Sequence, residues 1–160
     1  MFGGSLAQNE NLPLVDDKAS REERFQKITL WVSSYFKHGD ISTRNPDVLS
    51  REPSTIHPPT LTNMTADEQK EMMCVGNESD YDRPYMASFQ QQFAYAYREA
   101  FLGDAVRTLF PGFKATFLAG ELSPLFGIYA YWMLEDDIKE AEKPFGLVLV
   151  PDSNHFVSSS

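Results

Sequence analysis

The feature of this sequence that most constrains its fold is a strand, helix and strand pattern near the C-terminal end. Residues 114–119 and 145–150 are apolar runs of strand length, and between them apolar side chains recur at helical spacing until Pro144. This order normally gives two parallel strands joined by a right-handed crossover helix. The sequence therefore predicts an α/β fold in which residues 120–123 and 151–156 form the loops at the carboxyl ends of the strands.

Two capping boxes predict helices in the first half of the chain. In residues 20–23 and 65–68, a Ser or Thr oxygen can accept from first-turn amides while a Glu three residues later reaches back. The first box predicts a helix that Gly39 ends, and the second predicts a short helix to about Met73. The first helix would place these apolar residues on one face: Phe25, Ile28, Trp31, Val32, Tyr35 and Phe36.

Prolines mark the remaining boundaries. Residues 40–63 contain four prolines, which predicts an irregular connection. Pro84 suits the first position of a third helix. We expect the apolar stripe of that helix to pack in the core, and it consists of Met86, Phe89, Phe93, Ala96, Tyr97 and Ala100.

The composition restricts the classes of partner that this chain is expected to bind. A net charge of −9 disfavours nucleic acid and anionic membrane surfaces, because both need clustered Lys and Arg. No apolar run approaches the roughly 18 residues of a membrane span, and residues 1–15 lack the pattern of a secretory signal. Cys74 is the single cysteine, so no disulfide can form within the chain. A cytoplasmic protein is expected.

One carboxyl-end loop carries a histidine. In an open α/β sheet, ligands bind beyond the carboxyl ends of the strands, and His155 follows the last predicted strand directly. A histidine there can act as a general base near neutral pH. The alternative is an ordinary surface histidine. His38 and His57 lack metal-ligand spacing to a second His or Cys, so no metal or other cofactor is predicted.

Residues 117–124, the helix that contains Trp132 and residues 148–156 together resemble the last two strands of an α/β-hydrolase. In that superfamily a short loop after the last strand carries the triad histidine, often as Asn-His-Phe in fungal members. Residues 154–156 match this pattern, so the resemblance implies that His155 is the catalytic base. Residues 35–42 and 82–84 similarly resemble the helical cap segment of fungal members.

The resemblance leaves the acid of the triad open. The family places it in a turn after the penultimate strand, where this chain has Ser123. Glu121, two residues earlier, is the candidate acid. Asp16, after the short apolar run 12–15, is the alternative if the acid follows an earlier strand. For both residues, an ordinary solvated carboxylate is the other interpretation.

The nucleophile of the family has no match here. The Gly-x-Ser-x-Gly elbow does not occur. Ser5, in the near match at residues 3–7, lacks the buried strand that must precede an elbow. Cys74 has no basic neighbour in sequence that would activate its thiol.

The resemblance implies a mostly helical cap region followed by a β-α-β unit, an incomplete α/β-hydrolase fold. It divides the chain into a leader (1–19), a helical cap-like region (20–110), the β-α-β part (111–157) and a tail (158–160). Ester-type hydrolysis of a small ester-like substrate is implied for the complete enzyme, and this chain alone is expected to be inactive. The alternative is a non-catalytic remnant or interaction protein that self-associates through an exposed sheet edge.

Overall fold

The computed structural model describes residues 19–72, 88–141 and 145–156. Within these ranges the longer elements are five α-helices, one π-helix and two strands. In chain order they are α1 (Arg21–Val32), α2 (Ala66–Met72), α3 (Gln90–Tyr97), the π-helix (Arg98–Leu102), α4 (Asp104–Leu109), β1 (Thr116–Gly120), α5 (Leu125–Ala141) and β2 (Gly146–Val150). Short 3₁₀ turns at Ile41–Thr43, Pro46–Val48 and Thr60–Asn63 shape the proline-rich connection.

The two strands pair in parallel, as the strand, helix and strand pattern predicts. Thr116 lies opposite Gly146, and the register continues to Gly120 opposite Val150. Helix α5 makes the crossover between them. The molecule is therefore a mixed α/β structure with a two-stranded parallel sheet among its described residues, and both carboxyl-end loops lie at the same end of it.

The first helix confirms its capping box but ends earlier than predicted. The Ser20 hydroxyl accepts from the Glu23 amide, and the Glu23 carboxylate accepts from the Ser20 amide. The prediction of a helix to Gly39 is wrong, because α1 stops at Val32. The two serines that follow turn their hydroxyls back to the Leu30 carbonyl, at 3.1 and 2.7 Å. These bonds offer the backbone an alternative to the helix. The second box, at residues 65–68, is confirmed at the start of α2.

The core joins the first part of the chain to α5. Beyond α1 the chain is irregular up to the turn at Ile41–Thr43, and the Phe36 amide donates to the Leu122 carbonyl at 2.9 Å. This path brings the aromatic residues after α1 against the buried face of α5. The buried cluster consists of Trp31, Phe36, Leu49, Leu125, Ile128 and Trp132.

Arg44 fixes the proline-rich connection to α5. Its backbone is left-handed, with φ of 55°, and its guanidinium donates to both carboxylate oxygens of Asp136, at 2.7 and 2.6 Å. It also donates to the Trp132 carbonyl at 2.8 Å. A planar guanidinium matches a carboxylate in this two-point geometry. The connection is thus held against the outer side of α5.

Two apolar surfaces that the sequence places in the core are exposed. Phe89 and Phe93, on the predicted stripe of the third helix, are 40% and 46% exposed, so the expectation that the stripe is buried is wrong for these residues. Met86 of the same stripe lies outside the described residues. On the sheet, Phe117 lies on the side of α5, and the next residue, Leu118, therefore faces away. Leu118 is 51% exposed and its cross-strand partner Val148 is 44% exposed. In the described part of the chain, no layer covers this second face of the sheet.

Within the described ranges, no helix combines the length and the apolar content that a bilayer crossing requires.

Candidate functional site

The two carboxyl-end loops form one hydrogen-bonded unit. The Glu121 amide donates to the Val150 carbonyl at 2.9 Å, and the Leu122 amide donates to the Ser153 carbonyl at 2.8 Å. Gly120 makes this approach possible, because a β-carbon there would clash with the carbonyl oxygens of residues 153 and 154. The loop that carries His155 is therefore set by backbone contacts and does not depend on the histidine itself.

Asn154 anchors the same loop to the first half of the chain. Its side chain is fully buried, and its Nδ2 donates to the Ser33 carbonyl at 2.8 Å and to the Thr60 Oγ1 at 2.5 Å. Its Oδ1 accepts from the Phe156 amide at 3.0 Å. A buried amide is stable only when its donors and acceptors are satisfied. Asn154 thus ties the end of α1, the proline-rich connection and the last loop into one joint.

His155 projects from this joint at the carboxyl end of β2. Asp152 turns the loop with a left-handed φ of 53°. The histidine ring meets Phe126 edge to face with 5.3 Å between centroids, and Phe156 lies 5.7 Å away. The residue is exposed to solvent. Desolvation of the ring edge against its neighbours lowers the pKa of His155 below the ordinary 6.5, so the ring is neutral at pH 7.

Ser123, in the turn before α5, and the His155 ring both lie beside Gly127. A β-carbon on Gly127 would lie 3.6 Å from the Ser123 Oγ and 4.0 Å from the His155 Nδ1. Glycine at 127 therefore leaves a gap between the two side chains. Ser123 is nearly fully buried, and no hydrogen bond among the described residues joins its hydroxyl to His155.

Sequence reasoning missed the role of His38. Its Nδ1 accepts from the Ser50 amide at 2.9 Å, which fixes the proton on Nε2, and Nε2 donates to the Ser123 carbonyl at 2.8 Å. Burial lowers the pKa of His38, against smaller opposing effects of the Ser123 hydrogen bond and the Glu121 charge. A neutral His38 therefore holds the proline-rich connection, at Ser50, against the turn at Ser123 that precedes α5. No signal in the sequence marks this pairing, since the partners are a loop amide and a loop carbonyl.

The predicted acid lies near this cluster without pairing to the predicted base. Glu121 is partly buried in the turn after β1, and within the described residues it forms no ion pair or hydrogen bond with His155. Its charge acts on His38. The other sequence candidates, Asp16, Ser5 and Cys74, lie outside the described residues.

Metal ligation finds no support in the described portion of the chain, where no three His, Cys, Asp or Glu side chains cluster. His57 lies beside the Tyr35 ring, with 5.2 Å between centroids.

The fold and the site together define an α/β protein with a loop histidine at the carboxyl end of a parallel strand pair. No protein-family model, no curated protein and no solved structure matches this chain.

Proposed function

We propose that this chain is the histidine-bearing C-terminal part of an α/β-hydrolase-like protein of fungal type, with His155 as the general base of an ester-type hydrolysis. The observation that supports this is the position of His155: it lies on a loop fixed at the carboxyl end of β2, and its ring is neutral and open to solvent. The proposal includes a cytoplasmic location, which the single cysteine favours.

The chemistry follows from the state of the ring. A neutral imidazole can take the proton of a hydroxyl as that oxygen attacks an ester carbonyl, and can return the proton to the leaving alcohol. Phe126 limits the orientations of the ring by packing on its edge. In this function, the attacking hydroxyl and the oxyanion donors come from a part of the fold other than the described residues. Glu121 is the candidate acid that would orient the ring when that part is in place.

An activated ester tests the base directly, because its hydrolysis needs only a neutral, accessible imidazole. We expect hydrolysis of p-nitrophenyl acetate by the intact chain to rise with pH through an apparent pKa below 6.5. His155→Ala should remove this component. His57→Ala is the matched control, because His57 lies on another loop, and it should retain the activity. Equal rates for His155→Ala and the unaltered chain would refute the assignment of the base.

A fluorophosphonate probe tests where the nucleophile resides. The proposal expects no labelling of Ser123, which is nearly fully buried and not hydrogen bonded to His155. Labelling of Ser123 or Ser5 that disappears in His155→Ala would show instead that the chain carries its own nucleophile.

A second candidate function is that of a non-catalytic interaction protein. The exposed pair Leu118 and Val148 favours it, because a sheet face of this kind is normally covered by another layer. Both strands also have a free edge among the described residues. This candidate expects concentration-dependent self-association in sedimentation measurements. Val148→Lys should abolish the association, whereas a substitution at Ile56, an exposed residue of the proline-rich connection, should leave it unchanged. A monomer at all concentrations would contradict self-association.

A further inference from the structure

A cavity of about 410 Å³ lies at the opposite end of the sheet from His155. It is bounded by the π-helix, by the amino ends of both strands and by the middle of α5. Thr116 begins β1, and Phe145 immediately precedes β2. The residues that line it are Tyr97, Phe101, Leu102, Ala115, Thr116, Phe117, Ala130, Leu134, Ile138 and Phe145.

The lining is almost entirely apolar. None of the lining residues that the structure describes carries a formal charge, and Thr116 and Tyr97 bear the hydroxyl groups among them. The Tyr97 hydroxyl is buried, and this burial together with the neighbouring Asp137 carboxylate raises the pKa of Tyr97 to about 12. The hydroxyl is therefore protonated at neutral pH. A charged ligand would lose its hydration here without gaining a counter-charge from the lining.

The wall formed by the π-helix is a specific construction. π-helical segments are rare and occur frequently at functional sites. This one places Phe101 and Leu102 on the cavity, and Phe101 packs 5.7 Å from Phe145 between ring centroids. Gly103 follows the segment, and a larger residue would not fit there because a β-carbon would lie 2.6 Å from the Glu99 carbonyl oxygen. Arg98 contacts Asp137 of α5 at 3.6 Å, which ties the wall to the opposite side.

Size and access define the occupant. Ligand pockets usually span about 300–1,000 Å³ and are mostly apolar. An apolar cavity of about 150 Å³ holds one benzene molecule, so this cavity has room for two to three aromatic rings or a chain of comparable volume. Every lining residue that the structure describes keeps part of its surface in contact with solvent, so the cavity is open to entry on the described side.

We propose that this cavity binds a small uncharged apolar molecule, an aromatic or aliphatic compound of about 16 non-hydrogen atoms by proportion to the benzene case. The inference is independent of the proposed hydrolysis, because the cavity and His155 lie at opposite ends of the strands.

The test uses N-phenyl-1-naphthylamine, an uncharged dye of this size whose fluorescence rises in apolar surroundings. The intact chain should bind one equivalent saturably. Ala130→Phe fills the cavity from α5 and should weaken binding at least tenfold. Leu118→Gln is the matched control on the open sheet face, and it should change the affinity less than twofold.

Three results would overturn the proposal: no saturable binding by the intact chain, unchanged affinity in Ala130→Phe, or equal weakening by Leu118→Gln. Circular dichroism shows whether Ala130→Phe folds, and Ala130→Leu provides a smaller change at the same position. Amide chemical shifts of the unaltered chain give a second measurement. On dye addition they should move at residues 97–102 and 115–117, and movement confined to Leu118 and Val148 would reject the cavity as the site.

Discussion

Replacement of Asn154 by alanine should destabilise the protein more than its position in a short surface loop suggests. The amide side chain is fully buried and forms hydrogen bonds with the Ser33 carbonyl, the Thr60 hydroxyl and the Phe156 amide. Alanine removes these bonds at once. The change therefore removes the side-chain link between the last loop and two segments that are distant in sequence.

The magnitude follows from these contacts. Each hydrogen bond contributes about 1 kcal/mol net, and an unsatisfied buried partner costs about 1–3 kcal/mol. The Ser33 carbonyl keeps the Thr60 amide as a donor at 2.8 Å, so it stays satisfied in the variant. We therefore expect Asn154→Ala to lower the free energy of unfolding by about 3 kcal/mol. Asn154→Asp should cost more at pH 7, because it brings a buried charge against the Ser33 carbonyl.

Urea denaturation followed by tryptophan fluorescence measures this loss, because Trp31 and Trp132 both lie in the buried cluster. Asn63→Ala is the matched control. Asn63 is exposed, and its substitution should change stability by less than about 0.5 kcal/mol. If Asn154→Ala unfolds at the same urea concentration as the unaltered chain, the joint described here does not hold the segments together.

Three further predictions concern contacts that hold the loops and the proline-rich connection in place. Gly120→Ala should lower the free energy of unfolding by at least about 2 kcal/mol, because its β-carbon would clash with the last loop. Gly112→Ala has open space around its β-carbon and should leave the free energy of unfolding nearly unchanged in the same urea assay. Equal effects would contradict the close packing of the loops. Burial lowers the folded-state pKa of His38, so its contribution to stability is complete above the unfolded pKa of 6.5 and is lost as the pH falls toward the lowered pKa. His38→Gln should therefore flatten the loss of melting temperature that this group causes between pH 7.5 and 5. His57→Gln should retain that loss. Arg44→Ala should lower the free energy of unfolding by about 1 kcal/mol, a modest figure because the ion pair with Asp136 is partly exposed. An unchanged unfolding midpoint would contradict a stabilising role of the two-point contact between Arg44 and Asp136 of α5.

The parts of the fold that depend on local chemistry could be predicted from the sequence. The capping box at Ser20 and the strand, helix and strand order rest on side chains a few residues apart, and the structure confirms both. The end of α1 was not predicted in this way. The Ser33 and Ser34 hydroxyls bond back to the Leu30 carbonyl, and the Phe36 amide reaches the Leu122 carbonyl, a contact between distant parts of the chain that helical periodicity does not reveal.

The candidate site likewise combines local features, which the sequence predicts, with contacts between distant residues, which it does not. The position of His155 after a strand is local, and the sequence predicts correctly that it lies beyond the carboxyl end of β2. The roles of His38 and Asn154 are not local, since each bonds to residues far away in the chain. Apolar periodicity also predicts which residues share a face, as in the stripe that contains Phe93, but it cannot tell whether another layer covers that face.

The amide of Asn154 reaches a carbonyl 121 residues earlier in the chain, and this separation affects the order of assembly. During synthesis α1 and the proline-rich connection leave the ribosome long before the residue that joins them. Contacts between such distant positions form slowly, because the intervening loop must close first. The segment from Ser33 to Thr60 therefore has to wait for translation to pass residue 154 before it can take its final path.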